Sequence, residues 1–173
     1  MDKKIPAKNY IILAVVVLFT VISVFYARSW YLTTKEYENK NSVIKEVALE
    51  INQSEISNYT LENPKFILYV SSGQNQDIKP FESQMKKFIE KHELTGSMLY
   101  VNLDALEDRS KFENELKSLS ANEKVKAQIK RSENVTIYGF DNGQITNVIN
   151  EANDLTMTQL ETLLQNYGMI DNE

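Results

Sequence analysis

The sequence predicts a mixed α/β domain, a central mixed sheet flanked by helices, behind one N-terminal membrane-spanning helix. Three observations predict it. Tyr10 to Ala27 runs for eighteen residues without a charge. From residue 45 onward, short apolar runs of β type alternate with stretches of helical periodicity. Late in the chain, Asp141-Asn142-Gly143 joins two β-type runs. Asn-Gly in that setting signals a hairpin, because both residues tolerate positive φ.

Residues 1–9 form a short basic tail with Lys3, Lys4 and Lys8. As a helix, residues 10–27 would be about 27 Å long, against a hydrocarbon core of about 30 Å. Tyr10, Tyr26, Trp30 and Tyr31 flank the run, which suits aromatic rings at a membrane interface. A cleaved signal sequence would need small residues before its cut, and only Ala27-Arg28-Ser29 qualifies. A buried core helix would carry polar positions that this run lacks. An uncleaved anchor is the reading adopted. The closely spaced lysines of the tail place it in the cytoplasm and the larger domain outside the cytoplasm, in a single-pass cell-membrane protein. Arg28, Lys35 and Lys40 on the other side nearly balance them.

Residues 28–44 are polar with scattered aromatics and extend the anchor as a helix or stalk; the domain occupies 45–173. Val43–Ile51 reads as a helix end or a strand, and Val47–Ile51 is taken as the first strand. Ser54 then caps a short helix, Glu55–Leu61, stopped near Pro64. A strand over 65–71 leads through a polar loop to a helix over 78–92, with Ile78, Phe81, Met85, Phe88 and Ile89 as its apolar positions. His92 falls in its last turn, where the helix dipole favours a cation. Thr95-Gly96 closes that helix, and Ser97–Leu103 is the next strand. Residues 106–131 are charged and helical, with a second short helix at Ala121–Ile129. Asn134–Phe140 and Gln144–Asn150 form the hairpin. Thr156 and Gln159 make a capping box for the closing helix, with Leu155 and Leu160 at staple positions and Gly168 at C′.

Composition excludes several chemistries. The chain has no cysteine and one histidine, so dithiol exchange, thiol nucleophiles and cysteine or histidine-rich metal sites are all out of reach. Residues 45–173 carry thirteen Lys/Arg against twenty-one Asp/Glu, a net charge near −8. Such a domain repels nucleic acid and anionic headgroups, so no nucleic-acid partner is expected; the sequence shows no cofactor motif, and no cofactor is expected either.

Open α/β sheets place functional groups where a strand ends and a helix begins. Here that place holds Ser71, Ser72, Gly73, Gln74, Asn75, Gln76 and Asp77. Ser72 as a nucleophile would need a base within reach, and Asp77 is the one nearby in sequence. Asp77 reads better as a helix cap or first-turn residue. Asp104, Glu107 and Asp108 cluster after the third strand without the spacing of a calcium loop. Sequons at Asn52, Asn58 and Asn134 matter only in a eukaryotic secretory route. No catalytic residue and no metal site emerges.

Four segments, taken in order, resemble the thioredoxin fold over residues 45–170. FILYVSS is similar to the strand entering a thioredoxin active site and KPFESQMKKFIEKH to the helix leaving it. NVTIYGFDNGQITNVI resembles the late hairpin, and TMTQLETLLQNYG the closing helix. With its anchor, the chain is most similar to membrane-bound thioredoxin-like proteins of Gram-positive bacteria known as bacteriocin transport accessory proteins. Those relatives carry Cys-x-x-Cys. Aligned on the helix, Asn75 and Ile78 stand at the cysteine positions; a rival alignment on Pro80 puts Ser72 and Asn75 there. Tyr69 falls where many thioredoxins have a buried acid, and Val135 falls at the cis-proline. The resemblance implies a redox-inactive, membrane-anchored accessory module, outside the cytoplasm, that binds a protein or peptide, in bacteriocin or protein export. Its groove would be lined by 72–77, Ile78 and 133–135. The alternative is a structural accessory subunit recruited through its anchor to a transporter or secretion complex.

Overall fold

The computed structural model describes residues 6–129, 135–150 and 155–171. The chain separates into two units, one ending at Glu38 and one beginning at Asn39. The first is most of a continuous helix, α1 (Ala7–Lys40). Its Ala7–Tyr37 portion is long and apolar enough to cross a membrane, and its apolar side chains are exposed. The helix runs through the polar residues expected to form a stalk.

The second unit contains β1 (Leu49–Glu50), α2 (Ile56–Glu62), β2 (Phe66–Ser71), α3 (Lys79–Lys91) and β3 (Met98–Asn102). It continues with α4 (Arg109–Ser118), α5 (Glu123–Gln128), β4 (Thr136–Asp141), β5 (Gln144–Asn150) and α6 (Met157–Asn166). The strands form one mixed sheet in the order β1-β3-β2-β4-β5. β1, β3 and β2 are parallel, while β4 runs antiparallel to β2 and β5 antiparallel to β4. All six residues of the central β2 are buried, as expected of a strand covered on both faces.

Alternation along the strands divides the core into two layers. Ile67, Tyr69, Met98, Tyr100 and Ile137 face α3 and α6, where they meet Met85, Ile89, Leu160 and Leu164. Phe66, Leu68, Val70, Leu99 and Val101 face the other way, against Ile56, Phe112, Leu116 and Val125. Phe66 also stacks on Phe140 across β2 and β4, with centroids 4.3 Å apart. The hairpin turn follows expectation: Asn142 and Gly143 have φ of 52° and 73°. So does the closing helix, whose Thr156–Gln159 box forms and whose Gly168, at φ 63°, ends it.

Four local expectations need correction. β1 is two residues, not Val47–Ile51. Ser42 caps a 3₁₀ turn at Val43–Glu46, and the amides of Val47 and Ala48 bond back to Ile44, so that backbone is unavailable to the sheet. Ser54 is not the cap before α2; Asn52 and Glu55 hold that entry, the Asn52 amide donating to Glu55 Oε2 at 2.9 Å. Glu93, not Thr95-Gly96, ends α3. It takes the left-handed conformation (φ 55°) that lets the Leu94 amide reach Ile89 O. Asp77 does not cap α3 either: the cap position is Ile78, with no side-chain bond. The hairpin's first strand starts at Thr136, and the expected Asn134 lies outside the described residues.

Candidate functional site

The C-terminal ends of the parallel strands bring the predicted loop to one edge of the sheet. β2 ends at Ser71, and the next residue, Ser72, turns toward β3. Beyond β3, a 3₁₀ turn at Leu103–Ala105, capped by Asn102, presents Asp104. The Ser72 hydroxyl lies 2.9 Å from both carboxylate oxygens of Asp104, and the Gln74 amide donates to the same group at 3.3 Å. Serine's acidic partner is therefore Asp104 rather than Asp77. Arg109 approaches Asp104 at 3.8 Å from the surface. The loop closes on itself through Asn75, whose Oδ1 accepts from the Asp77 amide at 3.1 Å. A serine hydroxyl held by a lone carboxylate has no imidazole to take its proton. His92 is at the far end of α3, its ring 4.4 Å from that of Phe88.

The predicted groove residues divide sharply by burial. Gln76 and Asp77 are exposed and Ser72 and Asn75 partly so, but Ile78 and Val135 are 9% and 2% exposed. Both belong to the core layer that also contains Ile44, Val47 and Ala48. Gly73 is buried for another reason. A Cβ there would sit 2.5 Å from Lys40 O and 3.1 Å from Asn41 Cα, so the loop lies directly on the chain that leaves α1. Glu133 and Asn134 are outside the described residues. No protein-family model and no curated protein matches this sequence.

Beneath the loop is a polar centre that sequence reasoning missed. Glu82, on α3, is 1% exposed. Its carboxylate accepts from Ser42 Oγ (2.7 Å), the Val43 amide (2.9 Å), Tyr69 Oη (2.9 Å) and Ser71 Oγ (3.0 Å). One acid thus ties the segment after α1 to α3 and to the end of β2. Burial, and then the Glu82 carboxylate beside it, push the Tyr69 phenol well above its ordinary range. Burial raises Tyr100 likewise. Lys79 Nζ adds a bond to Asn41 O at 3.3 Å, and Lys86 pairs with Glu46. Helical phase carried a signal for Glu82. It lies four residues after Ile78 and three before Met85, on the stripe that is buried, while Phe81 and Phe88 flank that stripe.

Of the acidic residues after β3, Asp104 and Asp108 are used locally. Asp108 caps α4, accepting from the Ser110 and Lys111 amides at 2.9 and 3.0 Å. Among the described residues, no group of three or more acids or histidines is placed to hold a metal ion.

Proposed function

We propose that the chain is a membrane-anchored, redox-inactive thioredoxin-like protein that binds a protein or peptide outside the cytoplasm as an accessory to export. The observation that carries this reading is the strand order β1-β3-β2-β4-β5 with β4 and β5 antiparallel. It supports the reading because a thioredoxin carries its reactive pair in the loop after the corresponding strand, which would be the β2–α3 loop here. Thiol–disulfide exchange requires a thiolate, and the chain has no cysteine. What remains in that loop is a polar rim, Ser72, Asn75, Gln76 and Asp77, while Ile78 and Val135 belong to the core layer. Export of bacteriocins or other proteins enters through the resemblance of the four segments.

A photo-crosslinking amino acid at Asn75, in cells or native membranes, tests the reading. It should trap a polypeptide adduct absent from the same probe at Asn114 on α4. Asn75→Arg with Gln76→Arg should abolish the phenotype of a well-expressed protein. Adducts identical at both probe positions would sink the loop as the binding face.

A second reading has its own support. Glu82 and Gly73 fix the chain leaving α1 directly to the domain, as suits an accessory subunit recruited through its helix. Replacing residues 7–37 by an unrelated span separates the two: loss of function favours the anchor, and retention favours the loop.

A further inference from the structure

The sheet is open at β1, and the surface there differs from the rest of the domain. Among the described residues, β1 pairs with β3 alone. Tyr100 of β3 faces Glu50, and its carbonyl accepts from the Ile51 amide at 2.9 Å. In a parallel ladder that pattern turns the N–H and C=O of Glu50 away from β3. Among the described residues, no other backbone group meets them. β1 and α2 enclose a groove of about 350 Å³, lined by Leu49, Ile51 and Tyr59 and by three carboxylates, Glu50, Glu55 and Glu62. Outside α1, the large apolar side chains exposed among the described residues are Leu49 (56%), which lines this groove, and Leu61 (83%), on α2 but outside the lining. Glu50 lies 2.8 Å from Lys45 and Glu55 closes the turn before α2, but among the described residues Glu62 has no such role.

We propose that this edge receives an extended, lysine- or arginine-bearing segment of a partner protein, added as a strand beside β1. Backbone bonds to Glu50 would set its register, and alternate side chains would enter the groove or meet its carboxylates. Charge selects this occupant. A second copy of the chain would set Glu50, Glu55 and Glu62 against their own counterparts, and an anionic lipid surface would be repelled. The chain's own basic residues Lys3, Lys4 and Lys8 are separated from this edge in sequence by the apolar run of residues 10–27. The proposal is independent of the loop at Ser72–Asp77.

The test uses the full chain in nanodiscs of zwitterionic lipid, with empty nanodiscs as blank. The probe is a capped seven-residue peptide of alternating lysine and valine. Saturable binding should shift the Glu50 amide resonance. Binding should weaken about tenfold or more with Glu62→Lys, and by a similar factor when alternate peptide amides are N-methylated. Asn75→Arg should leave it unchanged, and circular dichroism would verify that both variants fold. Equal binding by a control peptide with glutamate in place of each lysine, or by the methylated one, would overturn the proposal. So would insensitivity to Glu62→Lys, loss with Asn75→Arg, or no saturable binding up to millimolar peptide.

Discussion

Glu82 is the residue on which most of the local structure depends. Four donors converge on its carboxylate, from positions as distant in sequence as Ser42 and Tyr69. Removing a buried acceptor leaves its donors desolvated and unpaired, at about 1–3 kcal/mol for each that finds no substitute. Glu82→Leu should therefore lower the unfolding free energy by about 3 kcal/mol or more, read as a lower urea midpoint with unchanged slope. Ser71→Ala, which removes one donor and leaves three, should cost about 1 kcal/mol. The tyrosines make a second prediction. Tyr69 and Tyr100 are raised above the ordinary phenol value of 10.0 in the folded protein, so the unfolded chain releases those protons first. The stability they contribute is complete below pH 10 and falls as pH climbs from there through their folded values. Spectrophotometric titration should show them ionising together with alkaline unfolding. Ionisation of both while the fold persists would refute their burial. Val135→Arg belongs here as well. At 2% exposure, the arginine would be forced into the core, and the loss should appear as instability rather than as a defect of binding alone.

Elements differed in how plainly their sequences announced them. The hairpin was legible because Asn142 and Gly143 both need positive φ, and the closing helix because Thr156 and Gln159 stand at cap spacing with an apolar stripe behind them. α3 was legible in extent but not in depth. A glutamate in an amphipathic helix ordinarily faces water, and the groups that justify its burial come from segments eleven and forty residues away. The partners of Ser72 were hidden for the same reason: Asp104 meets it only after β2 and β3 align. β1 was overread because apolar residues 47 and 48 serve the core from a turn as well as from a strand. Two glycines test these elements. Gly143→Val places a β-branched residue at φ 73° with Thr60 O at 3.4 Å from its Cβ. It should cost about 1–2 kcal/mol, measurable by thermal unfolding, where Gly143→Asn costs less. Gly73→Ala has no conformational penalty but drives its Cβ to 2.5 Å from Lys40 O. It should raise hydrogen exchange at Val43 and Ile44 while leaving the hairpin protected.

On the scale of the whole molecule, the division after Glu38 predicts where the protein can be cut. A fragment starting at Asn39 keeps Ser42, Val43 and Ile44 and should fold cooperatively by itself. One starting at Lys45 lacks the fully buried Ile44 and leaves Glu82 without two donors. Its melting temperature should fall by about 10 °C or more, given roughly 2–4 kcal/mol lost from a domain of this size. Equal stability of the two fragments would show that the segment is ornamental. Orientation is tested on intact cells: external protease should remove the domain and spare the tail. The clamp at Ser42 also has a mechanical consequence. Tension arriving along the backbone from the membrane side would enter the domain at Ser42 and Val43, pass through one carboxylate to α3, and reach β2 through Tyr69 and Ser71. The central strand, not the rim, carries the load. Pulled between residue 39 and the C-terminus in an optical trap, the domain should resist until that junction shears. With Glu82→Gln it should yield first by a short extension, the few residues up to β1, before the sheet itself gives way.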